Sequence, residues 1–193
     1  MFSVCFCARY EASPKESYLI AVKRIFRYLK GTLSLRLFYS RDTSLDLVGY
    51  SDADFAGYRL DRKSTSEMCH FIGHSLISWH GQKQNSVALS TAEAEYIAAG
   101  SCCAQILYIK QQLRDYDVHF ENVPIMCDNT SAINLSKNPI QHSKSKHIEI
   151  IHYFLRDHAQ KGDIVLEYVQ TEKQLADIFT KPLNKEKFCY IRR

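Results

Sequence analysis

Apolar positions along this chain recur with two periods, and the alternation between them predicts the elements. Leu19, Val22, Ile25, Phe26 and Leu29 form a stripe at helical spacing, which predicts a helix over 13–30. Ser13 is placed to N-cap it, Pro14 suits its first position, Glu16 completes a capping box, and Gly31 ends it. Four runs follow, LRLFYS, LDLVGYSD, EMCHFIG and SLISWH. They are apolar, aromatic and β-branched and are separated by turn-like clusters, so they read as consecutive antiparallel strands. Gly73 and His74 sit between the last two as a tight hairpin. Helical spacing returns from about Thr91 to Leu113 through Ile97, Ala98, Cys102, Ile106 and Ile109. VPIMCD then reads as a short buried strand, SAINLSKN as a short helix, and HIEIIHYFLRDHAQKG as an amphipathic helix closed by Gly162. IVLEYV is a further strand, and QLADIFTKPL a last helix broken by Pro182. This order is that of an α/β domain with a mixed sheet.

Composition narrows the class. The 193 residues suffice for one domain with a core and an appendage. A formal net charge of +4 permits nucleic-acid binding without arguing for it. Seven cysteines without a CxxC pair suggest neither a disulfide framework nor a zinc ribbon. A reducing, intracellular compartment fits them best. No apolar stretch approaches the ~20 residues of a membrane helix. The first ten residues make a poor signal peptide.

Four acidic residues carry the candidate chemistry: Asp52 in YSDADF, Glu95 in STAEAEY, Asp128 in MCDNTSA and Asp177 in QLADIFT. Convergent carboxylates make a site for hard divalent cations, and a paired-metal site is a standard solution for phosphodiester hydrolysis. Each acid has a structural alternative. Asp52 ends a strand, where Asp serves turns, and Asp54 shares its face. Ser90 and Glu93 have capping-box spacing, which gives Glu93 a structural task and leaves Glu95 on the burying side of the helix. Asp128, Asn129 and Thr130 each suit a helix cap, although Asp128 also lies at a strand's carboxyl end, where α/β sheets bind ligands. Asp177 is spaced for an ion pair with Lys173 or Lys181.

The joint pattern resembles the ribonuclease H region of copia-type (Ty1/copia) retrotransposon Pol polyproteins. The segments that carry the resemblance are GYSDADFAG, DRKSTSEMCHFIG, LISWHGQKQNSVALSTAEAEYIAA, MCDNTSAINLSKNPIQHSKSKHIEI and QTEKQLADIFTKPL, in unbroken order. It implies three parts: residues 1–45 as the end of the reverse transcriptase and its connection, 46–183 as an RNase H-like domain, and 184–193 as a tail. It implies a five-stranded mixed sheet flanked by helices, with an N-terminal helical appendage. Asp52, Glu95, Asp128 and Asp177 become the catalytic carboxylates and metal ligands, with Asp52 chosen over Asp54 by the family pattern alone.

The implied chemistry is hydrolysis of the RNA strand of an RNA–DNA hybrid. Two Mg²⁺ ions, with Mn²⁺ as a substitute, would bridge the carboxylates and the scissile phosphate. Four close carboxylates without metal repel, so some are expected to be protonated at neutral pH. The partners are the hybrid and the reverse transcriptase of the parent polyprotein, with no membrane. The setting is intracellular, either a cytoplasmic retroelement particle or the nucleus. Lys144, Lys146 and His147 form a basic cluster that would meet the hybrid backbone or else stand as a solvated loop. His147 and His152 are five apart, ~140° around a helix, which disfavours a zinc-protease helix. Trp79 and Tyr50 read as core residues. Glu67 stands where the family usually has Gly, so a strained strand start is expected there. The alternative function is a catalytically idle remnant of a decayed element, acting at most as a nucleic-acid-binding module.

Overall fold

The computed structural model describes residues 2–35, 37, 39–41, 44–58, 60–137, 146–180 and 183–191; the side chains of residues 2, 5, 6, 146–152 and 180 are outside that description. The chain forms two compact units, Met1–Tyr39 and Ser40–Arg193. The first holds helices α1 (Phe2–Ala8) and α2 (Glu16–Gly31), tied by the stacked rings of Tyr10 and Tyr18 at 4.5 Å. Helix α2 is amphipathic but buries none of its described residues. It starts later than its capping signal suggests. Lys15, in extended conformation, is the N-cap and gives no side-chain bond, and its carbonyl accepts from the N–H groups of Tyr18 and Leu19.

The second unit carries one sheet of five strands in the order β3-β2-β1-β4-β5. These are β1 (Leu47–Asp54), β2 (Thr65–Ile72), β3 (Ser75–Lys83), β4 (Val123–Cys127) and β5 (Ile164–Tyr168). The first three form an antiparallel meander, and β4 and β5 add in parallel beside β1. The remaining elements are α3 (Thr91–Arg114), α4 (Thr130–Lys137), α5 (Lys146–Gln160), α6 (Asp177–Thr180), α7 (Lys185–Ile191) and one 3-10 turn at Thr171–Lys173. The expected strand LRLFYS is absent from the sheet: its described residues 35, 37, 39 and 40 have no strand pairing. The four-residue α6 is the helical part of QLADIFTKPL.

The alternation in β1 sorts side chains to two faces. Gly49, Ser51 and Ala53 look toward α3, which packs its apolar stripe there; Cys102, Cys103 and Ile106 are fully buried against Val123, Ile125 and Leu166. Helix and strand approach closely at Gly49. A Cβ there would stand 2.8 Å from both Cys102 Sγ and Ile106 Cδ1. The other end of α3 is anchored by Lys110, only 4% exposed, which donates to the Asp163 carbonyl (3.1 Å) and carboxylate (3.0 Å). His158 Nδ1 meets the other Asp163 oxygen at 2.8 Å. These hydrogen bonds, that of His158 first, hold the Asp163 carboxyl below its usual pKa.

Three details differ from the sequence reading. Glu67 lies inside β2, paired with Asp52 and Gly81, and is not among the described residues with positive φ; the strand is not strained there. Trp79 is 48% exposed, because it projects from edge strand β3, and Tyr50 is half-buried.

Two outcomes follow from this packing. Gly49→Ala must push α3 off the sheet or displace two buried side chains, at a cost of about 1–3 kcal/mol measurable by urea unfolding. His70 is fully buried, with Nε2 3.3 Å from Cys102 Sγ, and burial drives its imidazole down to about pKa 4. The unfolded chain takes up a proton below about pH 6.5 while the folded one does not. Stability is therefore fully present above pH 6.5 and falls as pH drops toward 4, by on the order of 3 kcal/mol for this residue. Unfolding curves at stepped pH should show this loss, and His70→Gln should flatten it.

Candidate metal centre

The parallel pairing of β1 with β4 sets the site. Gly49 lies opposite Ile125 and Tyr50 opposite Met126, so the same register carried on brings Asp52 level with Asp128 just past the end of β4. Helix α3 crosses behind this point with its first turns. Carboxylate oxygens of Asp52, Glu95 and Asp128 lie within 4.8 Å of one another. Asp52 and Glu95 are buried and Asp128 is half-buried. Asp54, two residues along the strand on the same face, is not in the group.

Each acid is released for this position by a neighbour that does the structural work. Ser90 Oγ accepts from Glu93 N (3.1 Å) and Glu93 Oε2 accepts from Leu89 N (2.7 Å), so Glu93 closes the cap of α3. Glu95, two residues on, turns inward, and its Oε1 accepts from Ala53 N at 3.2 Å. Among the three cap candidates before α4 it is Asn129 whose side chain accepts from Ala132 N, at 3.0 Å. Asp128 is left to face the acids, oriented by Thr171, whose hydroxyl donates to its Oδ2 at 2.8 Å.

Asp177 is 1% exposed, so a surface ion pair does not describe it. Lys181 lies outside the described residues; among the described residues Lys187 of α7 pairs with Asp177, with Nζ 2.5 Å from Oδ2. Asp177 opens α6, and its placement depends on Gln174. That amide is fully buried and donates to the carbonyls of Ser51 (2.9 Å) and Met126 (3.3 Å), clasping β1 to β4. Its own carbonyl oxygen accepts from Ala176 N at 3.3 Å. Thr171, Gln174 and Lys187 are contributors that the sequence did not disclose. The only signal for Gln174 is a polar residue ahead of an apolar stretch. Lys187 gives none, since its pairing spans ten residues and a proline.

Glu67 is a further buried acid beside the centre, 2% exposed. Its carboxyl lies over Gly81, where a Cβ would come within 2.6 Å of both its oxygens. Burial first, then the neighbouring Asp52 charge, push its pKa up to about 8. Glu67 is thus a protonated carboxyl at neutral pH, outside the four acids for which protonation is expected.

Of the basic cluster, Lys144 lies outside the described residues, and Lys146 and His147 begin α5 with side chains that are also outside it.

The donors suit a hard divalent cation. All are carboxylate oxygens, mutually close, and each of the three is held or screened from bulk water. A cationic ammonium already rests on the fourth acid.

Comparison with known proteins agrees with fold and motif. The chain is 39% identical over 176 residues to the retrovirus-related Pol polyprotein from transposon RE1 of Arabidopsis thaliana, covering 91% of this chain. It is 35% identical over 184 residues to that of transposon TNT 1-94 of Nicotiana tabacum, covering 94%. The chain belongs to the copia-type retrotransposon Pol family. It spans only 12% and 14% of the length of those two relatives. No family model matches it. Among solved structures, the N-terminal RNase H domain of a Mycobacterium tuberculosis protein superposes with a TM-score of 0.51 at 12% identity, over 77% of this chain and 96% of that one. LC11-RNase H1, isolated from compost by a metagenomic approach, gives 0.51 at 14% identity, over 69% and 91%. The second unit of this Pol chain has the RNase H-like fold. No helix among its described residues is long and apolar enough to cross a membrane.

The raised Glu67 carboxyl gives a pH prediction. The folded state keeps its proton up to about pH 8, whereas the unfolded chain releases it near pH 4.5. Stability should therefore fall as pH rises from about 5 to 8, by roughly 3–5 kcal/mol at most. In chelator, Glu67→Gln should remove this decline in denaturant titrations.

Proposed function

We propose that the second unit is a metal-dependent endonuclease that hydrolyses the RNA strand of RNA–DNA hybrids, working as one part of a Pol polyprotein. The observation that carries this reading is the convergence of Asp52, Glu95 and Asp128 oxygens within 4.8 Å at the carboxyl ends of β1 and β4. Asp177 is not in that group; its N–H donates to the carbonyl of Gln174, whose amide holds the strand ends, and it is proposed as the fourth ligand. A pair of Mg²⁺ ions, or Mn²⁺ in their place, would supply Lewis acidity at the scissile phosphate and a more acidic water.

The chain's own residues do the positioning. Asp52 is buried on strand β1 beside Glu95 and Asp128 and is proposed as the acid that would contact both cations. Glu95 is fixed through Ala53 N and Asp128 through Thr171. Neither needs to reorganise as charge develops at the phosphate, which is where preorganised electrostatics gain most. Glu67 is neutral at pH 7 and adds no fifth negative charge next to Asp52. Lys144, Lys146 and His147 are proposed to meet hybrid phosphates, on the strength of their charge and their clustering in sequence about the start of α5. The reverse transcriptase segment of the same polyprotein is the proposed partner, supplying hybrid where it is made. The proposed setting is the intracellular retroelement particle.

The test is cleavage of labelled RNA–DNA hybrid by the full chain with Mg²⁺, against chelator and against Asp128→Asn. Wild type should cut only with metal, and the variant should lose at least about 100-fold in rate. Equal cleavage by both proteins, or none by folded wild type, would sink this reading in favour of an idle remnant.

A further inference from the structure

We propose that Lys187 is a built-in cation that occupies the Asp177 side of the metal centre, so that an ion can bind there only when Lys187 withdraws. This rests on the metal-centre reading above and assigns the short C-terminal helix α7 a part in it. The Lys187 ammonium lies 2.5 Å from Asp177 Oδ2 and 3.5 Å from the Thr171 carbonyl. The same Thr171 orients Asp128 through its hydroxyl. One lysine therefore sits on a chain of contacts that joins the fourth acid to the three-carboxylate group.

The geometry excludes shared occupancy. A divalent cation of the Mg²⁺ kind takes oxygens at about 2.0–2.1 Å, and an ammonium in tight contact with the same Asp177 oxygen stands in its place. The two also repel as like charges. Lys187 is built to do both, to stay and to leave. Its backbone N–H is capped by Asn184 Oδ1 at 2.8 Å, which fixes the start of α7. Its side chain is 30% exposed while that of Asp177 is 1% exposed, so the lysine has a path to solvent that the acid lacks. With the lysine in place the centre offers one divalent position, at Asp52, Glu95 and Asp128. With the lysine withdrawn it offers two. Competition of this kind is a coupling between α7 docking and the second ion, and couplings of 1–3 kcal/mol change affinity by about 5–150-fold.

The experiment is substrate-free Mn²⁺ binding to the full chain, followed by calorimetry and by the paramagnetic resonance signal of free Mn²⁺. Wild type should show one tighter and one weaker step. Lys187→Met and Lys187→Gln should tighten the weaker step about tenfold and leave the tighter one unchanged, whereas Lys187→Arg, which keeps the charge, should leave both. Circular dichroism and thermal unfolding establish that each variant is folded, and the two neutral variants check one another. A second step of equal affinity in wild type and both neutral variants overturns the inference. If Asp128→Asn abolishes the tighter step in that same protein, the metal-centre reading stands and only the role of Lys187 falls. If wild type binds no Mn²⁺ at all, both fall together.

Discussion

The parallel register between β1 and β4 is the constraint on which the rest depends. Two strands from distant parts of the chain finish level, so acids placed after one and within the other meet without any loop having to be shaped for it. A slip of one residue would reverse the faces of β4 and carry the acids apart. The register is held from both sides. Gly49 lets α3 press onto β1 on one face. At the strand ends, the Gln174 amide holds a carbonyl from each strand. A buried amide suits this task because it satisfies backbone acceptors without adding a charge to a crowded acidic region.

Burying acids is costly, and the fold answers that cost differently at each one. Glu95 takes a backbone N–H, Asp128 a hydroxyl and some solvent, and Asp177 a lysine. Glu67 keeps its proton. The last answer works only because Gly81 leaves room on β3 for the carboxyl to turn over it. Glu67, where the family resemblance implied Gly, thus has its compensation one strand away. The departure is accommodated by space and protonation, not by backbone strain.

Much of this was legible in the sequence, for local reasons. The hairpin at Gly73 and the long helix α3 follow from turn chemistry and period alone. Glu93 separates from Glu95 because a capping box is a four-residue pattern. Asp128 and Asn129 could not be separated that way, since either suits a cap and only the backbone path decides which one bends back. LRLFYS has strand composition, but composition cannot show whether a sheet edge is free to pair with it. QLADIFT reads as a helix by period, yet Gln174 is drawn out of it by two carbonyls that lie 48 and 123 residues away in sequence. Lys187 is the extreme case, a lysine in a tail whose meaning is set wholly by three-dimensional proximity.

The division of labour at Asp128 and Asn129 has an electrostatic consequence. A helix end presents about half a positive charge through its unpaired N–H groups, and a charged cap would cancel much of it. Here the cap of α4 is a neutral amide, so the positive end stays open toward the aspartate beside it. The cap of α3, with Ser90 as its side-chain acceptor, lies a turn or so ahead of Glu95. The α4 dipole thus lends the acidic centre part of the positive potential it lacks, whereas the Glu93 carboxylate already offsets that of α3, so the backbone before α4 moderates the repulsion among the carboxylates.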